Sequence, residues 1–180
     1  NLFIMRKLLL SIALVSFCFS ANAQFGASVG YGSATGKITE PDIETYSTDA
    51  AGSFAIGLFY DAELSDNFDL LPSIAFGIGE KVDDNSNNSL ALGLGLQYYP
   101  TGKDGNFFIQ PGIGLGFTLA DVDTDYVKKS GFTGSIGLGI DLSDNFTLIA
   151  AYGTTLSNQA QLEGYTLKSN SFGGSLLYKF

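Results

Sequence analysis

From Gln24 to Phe180, large apolar side chains recur at every second position, and the residues between them are mostly Gly, Ala, Ser or Thr. Successive side chains of an extended strand point to opposite faces, so a period-two rhythm writes strands with one bulky apolar face and one small face. Eight such segments follow one another. The first four carry Phe25, Ala27, Val29 and Tyr31; Phe54, Ile56, Leu58 and Tyr60; Phe68, Leu70, Pro72, Ile74, Phe76 and Ile78; and Leu90, Leu92, Leu94, Leu96 and Tyr98. The last four carry Phe107, Ile109, Pro111, Ile113, Leu115, Phe117 and Leu119; Phe132, Gly134, Ile136, Leu138, Ile140 and Leu142; Phe146, Leu148, Ala150 and Tyr152; and Phe172, Gly174, Leu176, Tyr178 and Phe180. Each segment is about ten residues long, which is what a tilted strand needs to cross a hydrocarbon layer.

In a soluble sandwich the bulky face would turn inward onto a core, and the other face would carry the charges that meet water. Here the other face is nearly uncharged. Charged residues make up only 15% of the chain, against about 25% in ordinary soluble domains, and they gather in the connections. The expected fold is all-β: an eight-stranded antiparallel transmembrane β-barrel with up-and-down meander connections, its bulky face toward lipid and its small or polar face toward the lumen. Closure pairs every backbone N–H and C=O, which lipid demands. Short links at residues 61–67, 100–106 and 143–145 alternate with longer ones at 33–51, 80–89, 120–130 and 156–170. That alternation matches periplasmic turns and extracellular loops. Phe25, Tyr60, Phe68, Tyr98, Phe107, Phe146, Tyr178 and Phe180 then fall at the periplasmic strand ends, where an aromatic girdle belongs.

Two details break the rhythm. Pro72 and Pro111 each follow a Phe by four residues; each lacks a ladder donor, so a bulge or local defect is expected beside it. The run Leu-Ser-Asp-Asn-Phe occurs at residues 64–68 and again at 142–146. It reflects either duplication of a hairpin or the same turn chemistry reached twice.

The N-terminal segment reads as an address. Met5 is the expected start, Arg6 and Lys7 are a basic opening, residues 8–19 are apolar, and Ala21-Asn22-Ala23 places small residues where signal peptidase cuts. Residues 1–23 are therefore expected to form a signal peptide region, exported through the Sec pathway and cleaved after Ala23, with residues 24–180 forming a single barrel domain. The one cysteine, Cys18, lies in the leader, so the mature barrel would hold without a disulfide.

Histidine is absent, which removes most acid–base and metal chemistry. No catalytic residue and no cofactor are expected. Asp121, Asp123 and Asp125 have the spacing that opens a calcium loop, but Tyr126 and Phe132 stand where that loop needs Gly and Glu. They are weak metal candidates, and a solvated acidic loop is the favoured alternative. Gly112, Gly114 and Gly116 precede no helix, so they do not form a phosphate-binding turn. Without Arg6 and Lys7 the chain holds 7 basic and 18 acidic residues, a net charge of −11. That balance argues against nucleic acid. The acidic loops are possible sites for divalent cations shared with an anionic surface glycolipid, or for a basic surface partner; charge kept for solubility is the favoured explanation.

The lumen-facing set is uneven. Inward glycines (Gly30, Gly32, Gly77, Gly79, Gly93, Gly95, Gly114, Gly116, Gly137, Gly139) concentrate toward the extracellular half, and bulky or charged residues toward the periplasmic half. Eight strands enclose an interior that ordinary side chains just fill. An open vestibule is thus expected above a floor containing Asp61, Asp69, Gln97, Gln110, Asp141 and Lys179. Lys179, the only inward base in that set, is expected to pair with at least one of the three aspartates.

The alternating strands, the leader and the ending Ser175-Leu176-Leu177-Tyr178-Lys179-Phe180 together resemble the small outer-membrane β-barrel family of Gram-negative bacteria. The resemblance covers the whole mature chain. It implies residence in the cell outer membrane among its lipids. It also implies recognition by the barrel-assembly machinery through the C-terminal strand, at Phe172, Leu176, Tyr178 and Phe180. Members serve as adhesins, structural proteins, narrow pores and a few enzymes, and those enzymes rely on a histidine that this chain lacks. The expected function is a non-catalytic structural or surface-interaction role with a plugged periplasmic floor. The alternative is a narrow pore or a small-ligand-binding barrel using the Gly-lined vestibule.

Overall fold

In a computed structural model, described here for residues 23–40, 45–82, 85–119 and 127–180, the period-two segments become long β-strands. They are β1 (Ala23–Thr39), β2 (Tyr46–Ser47), β3 (Ala51–Ser65), β4 (Phe68–Val82) and β5 (Asn85–Tyr98), followed by β6 (Phe107–Thr118), β7 (Ser130–Asp141), β8 (Phe146–Thr155) and β9 (Thr166–Lys179). A 3-10 turn, Lys103–Gly105, lies between β5 and β6. Residues 1–22 of the expected 1–23 leader, and Asp121, Asp123 and Asp125, lie outside the described residues.

Neighbouring strands pair antiparallel in the order β1-β3-β4-β5-β6-β7-β8-β9, and β9 pairs back onto β1 from Gly26↔Lys179 to Thr39↔Thr166. Eight strands therefore close the barrel. β2 only extends one rim, pairing with β1 through Lys37↔Ser47 and Ile38↔Tyr46. The bulky face points out: Phe25 is 67% exposed, Ile113 64% and Phe172 65%. Cross-strand aromatic pairs ring the short-turn end, with centroids 5.0 Å apart for Phe25–Tyr60, 5.0 Å for Phe68–Tyr98 and 4.9 Å for Phe146–Tyr178. Tyr31–Phe54, at 4.9 Å, marks the upper end of the apolar band. Along β4 the outward apolar run from Phe68 to Ile78 rises roughly 25 Å once strand tilt is allowed for, the height of a lipid-facing barrel band.

The strands run further than the apolar pattern predicts. Residues 80–89, expected as a long loop, are mostly sheet: β4 continues to Val82 and β5 starts at Asn85, with Gly79↔Asn87 and Val82↔Asn85 paired across a register shift. Above the lipid band the outward positions turn polar, as at Glu80 and Asn88. The backbone still needs ladder partners there, so the pairing continues after the hydrophobic rhythm stops.

The prolines leave gaps in the ladder, and on the Pro72 strand pair a register shift follows nearer the turn, between Glu63 and Ser65. Beside Pro72, the β3–β4 ladder passes from Phe59↔Ser73 directly to Ala62↔Leu70, with the register preserved. Beside Pro111, the β5–β6 ladder passes from Gly95↔Gly112 to Tyr98↔Ile109 in the same way. Each proline lacks the N–H its neighbour would accept, and the ladder resumes beyond it.

The repeated Leu-Ser-Asp-Asn-Phe segments do the same local work. In the β3–β4 turn, Asn67 Nδ2 donates to Tyr99 O (2.7 Å), and Tyr99 N donates to Asn67 O (2.9 Å). In the β7–β8 turn, Asn145 Nδ2 donates to Lys179 O (2.8 Å), and Lys179 N donates to Asn145 O (2.8 Å). Each asparagine thus extends the ladder by one reciprocal pair, past the end of its own hairpin and onto the next strand.

Candidate functional site: the lumen floor and the vestibule above it

Inward-facing residues near the short turns form a close-packed layer. Phe59, Leu71, Tyr99, Phe108, Ile149 and Leu177 form one buried cluster, with the rings of Tyr99 and Phe108 tilted against each other at 5.2 Å. Two glycines make room for its rings. A Cβ on Gly26 would overlap the ring of Phe59, and one on Gly139 would overlap the ring of Phe108. The expectation that Gly139 opens the vestibule is therefore corrected: directly opposite Phe108 in the register, it seats the floor instead. A Cβ on Gly137 would crowd the floor residue Ile149, so Gly137 belongs with it.

A polar network through Gln97, Gln110 and Asp141 crosses this layer, while Asp61, Asp69 and Lys179 lie in separate ion pairs. Gln97 Nε2 donates to Gln110 Oε1 (3.1 Å). The Tyr99 hydroxyl lies 3.2 Å from Gln97 Oε1 and donates to Asp141 Oδ2 (3.0 Å). Asp141 Oδ1 accepts a short hydrogen bond from Thr147 Oγ1. Gln97 and Thr147 are fully buried. Their hydrogen bonds satisfy groups that would otherwise be costly to bury.

The remaining aspartates are held by lysines. Lys179 Nζ sits 2.7 Å from Asp61 Oδ2, and both side chains are nearly sealed from solvent. Asp61 Oδ1 is buried with no hydrogen-bond partner among the described residues. Asp69 is not reached by Lys179. Its carboxylate meets Lys103 at 2.9 Å, and the same ammonium lies 3.2 Å from Glu63. Lys179 is thus not the only base at the floor. Lys103 sits in the 3-10 turn below the rim, where strand alternation gives no signal of side-chain direction. Burial pulls the Lys103 ammonium down, but its hydrogen bonds and charge pairing with Asp69 and Glu63 more than offset this and hold its pKa above the usual lysine value. Thr147 was also missed as a member of the network, although its position two residues before Ile149 in β8 places it on the inward face.

Above the floor the lumen opens. Adjoining cavities of about 290 and 220 Å³ share Ser135, Ala151 and Ser175 in their walls. Small residues leave this space, and serines lean over directly opposed glycines in the pairs Gly30↔Ser175, Ser73↔Gly93 and Gly112↔Ser135. The wall therefore offers hydroxyls and backbone with few charges. Among the described residues no group of three or more acidic, histidine or cysteine side chains has the arrangement to hold a metal ion.

The four expected recognition residues of the C-terminal strand all face outward: Phe172, Leu176, Tyr178 and Phe180 are exposed along the lipid side. Phe180 N donates to Phe25 O (2.9 Å), so the last residue is tied to the closing strand.

A closed eight-stranded barrel with an apolar exterior, aromatic pairs toward both ends of its band and a polar lumen defines a transmembrane β-barrel of the outer-membrane type. The profile of the outer membrane protein beta-barrel domain matches residues 11–180, and the chain belongs to that family. Its fold is similar to that of Neisserial surface protein A, at 14% identity and a TM-score of 0.53, covering 86% of this chain and 97% of the other. It also matches Ail, the attachment invasion locus protein of Yersinia pestis, at 13% identity over 85% and 98% of the two chains, with a TM-score of 0.44. OprG from Pseudomonas aeruginosa matches at 17% identity over 88% and 96%, with a TM-score of 0.45. None of the curated proteins compared by sequence matches the chain.

Proposed function

We propose that this outer-membrane barrel is a non-catalytic structural or surface-interaction protein whose lumen is plugged at its periplasmic end. The observation that carries this is the close-packed floor, where Phe59, Leu71, Tyr99, Phe108, Ile149 and Leu177 are each at most 6% exposed. The two lysine–aspartate pairs and the Gln97–Tyr99–Asp141 network support it by filling the same layer. In this reading the short turns are periplasmic, and the loop end faces outside the cell. The acidic loop residues, among them Glu40, Asp49 and Glu163, are then the surface available to divalent cations or a basic partner. Phe172, Leu176, Tyr178 and Phe180 present the C-terminal strand to the assembly machinery. Proteoliposomes loaded with a small solute test the plug. The folded chain should leave flux at the background of protein-free vesicles, and rapid solute-size-dependent leakage would reject it.

A second reading, a narrow pore or small-ligand binder, is favoured by the adjoining cavities above the floor and their hydroxyl-bearing walls. It predicts measurable conductance that changes when Asp69 or Asp141 is replaced by Asn, whereas the plugged barrel stays silent in all three forms.

A further inference from the structure

The apolar belt is not the same height all round the barrel. Its lower edge is a ring of outward aromatics, with Phe25 on β1, Phe68 on β4, Phe107 on β6, Phe146 on β8 and Tyr178 on β9. Eight residues further up each strand is roughly 20 Å at the rise of a tilted strand. There β4 and β6 still present Phe76 and Leu115, with Ile78 and Phe117 beyond them. At the same step β1, β8 and β9 present Ser33, Thr154 and Asn170. These three strands adjoin, and their last apolar residues sit side by side through Tyr152↔Phe172 and Tyr31↔Gly174. Leu156, just past β8, leans away over Gly134 of β7. Along β8, β9 and β1 the belt therefore stops roughly 10 Å below its height on β4 and β6.

The polar step above the short belt carries an unspent donor. Thr154 Oγ1 donates to Asn170 Oδ1 (2.8 Å), which holds the amide on the outer face, and Asn170 Nδ2 has no acceptor among the described residues. An amide N–H left without a partner against hydrocarbon is costly, and polar groups at that depth in membrane proteins turn toward protein. Two outward steps below Asn170, Ala150 lies opposite Gly174, so the sheet surface is low there and open to close approach.

We propose that the β8–β9–β1 face binds a second copy of this chain, in a twofold dimer whose axis runs along the membrane normal. Such an axis keeps every residue at its own depth, so the Asn170 amide of each copy, both donor and acceptor, meets the polar step of the other. The short belt favours the contact, because joining two such faces removes the mismatched lipid between them. The area is sufficient. The large outward side chains of these three strands are between 37% and 67% exposed and present roughly 800–1,000 Å², the share one partner gives to a standard interface.

Cys18 is the only cysteine of the chain, so the full chain carrying Cys18→Ser accepts single reporter thiols. Ser33→Cys places one on the proposed face, and Leu115→Cys places one at the matching step of β6, across the barrel. Each protein is reconstituted in phosphatidylcholine vesicles at high lipid dilution and treated with a short bismaleimide; heat-dependent gel mobility confirms closed barrels. Ser33→Cys should form covalent dimer at least tenfold faster than Leu115→Cys, and faster still in bilayers of longer acyl chains. In the Ser33→Cys background, Asn170→Leu should slow cross-linking about fivefold. Gly174→Trp, which leaves the height of the belt unchanged, should slow it by holding the two sheets apart. Equal rates at Ser33 and Leu115, or rates unchanged by both Asn170→Leu and Gly174→Trp, would overturn the proposal. A barrel that stays monomeric at every acyl length would also overturn it, marking thinned lipid as the cover of the short belt. None of these readouts depends on solute flux, so failure here is separable from failure of the plugged barrel.

Discussion

The two halves of the lumen are built from the same strands and differ in what their glycines do. Near the short turns, Gly26 and Gly139 are slots occupied by aromatic rings, and the layer is closed by the buried Lys179–Asp61 ion pair. Toward the loops, glycines face serine hydroxyls or empty space, as at Gly116, whose nearest neighbour for an added Cβ is Gly131 O at 3.9 Å. One residue type therefore makes a tight floor in one half and an open vestibule in the other. The difference is set by the size of the residue across the strand pair: Phe108 opposite Gly139, Gly131 opposite Gly116.

The largest break in this contrast should come from Lys179→Met. It strands Asp61, whose carboxylate is sealed beneath the floor, and removing one member of a buried pair costs about 3–5 kcal/mol. Urea unfolding of the reconstituted barrel should show that loss, and Asp61→Asn in the same background should recover much of it. A Lys179→Met barrel as stable as the parent would mean the ion pair does not hold the floor. Next in size is the glycine comparison itself. Gly139→Ala drives a methyl into the Phe108 ring and should cost about 1–3 kcal/mol by overpacking. Gly116→Ala, equally inward but unopposed, should stay within about 0.5 kcal/mol of the parent. Equal effects at the two positions would erase the distinction between floor and vestibule.

The barrel was legible because lipid enforces a two-residue rhythm on every spanning strand. The inward positions follow from the same parity, so Asp61, Asp69, Gln97, Gln110, Asp141 and Lys179 could be named together without knowing their partners. Parity stops informing where the lipid stops. That is why Lys103, in a turn, was missed although it neutralises Asp69, and why residues 80–89 read as loop when they are largely ladder. Parity is also blind to depth. Gly139 and Gly116 look alike in sequence, and only the register that sets Phe108 across from Gly139 separates them.

Smaller effects sharpen the lower half further. Asn67 and Asn145 make matching reciprocal bonds to Tyr99 and Lys179, so Asn67→Ala and Asn145→Ala should each lose about 1 kcal/mol. Similar losses at the two sites would fit one shared turn chemistry, whereas a strong asymmetry would mean the repeated segments only look alike.

The smallest expected change is a pH effect at Lys103. Its pKa is raised in the folded barrel by pairing with Asp69 and Glu63, so the folded state binds its proton more tightly than the unfolded chain does. Its contribution is therefore fully present below the ordinary lysine pKa of about 10.4 and fades as pH rises through the higher folded value. The side chain is partly open to solvent, which keeps the effect modest. Relative to Lys103→Met, the parent barrel should keep a constant advantage in urea midpoint from pH 7 to 9 and lose it in strongly alkaline buffer. An advantage that grows with alkalinity would have the wrong sign for a lysine whose charge holds Asp69 in place.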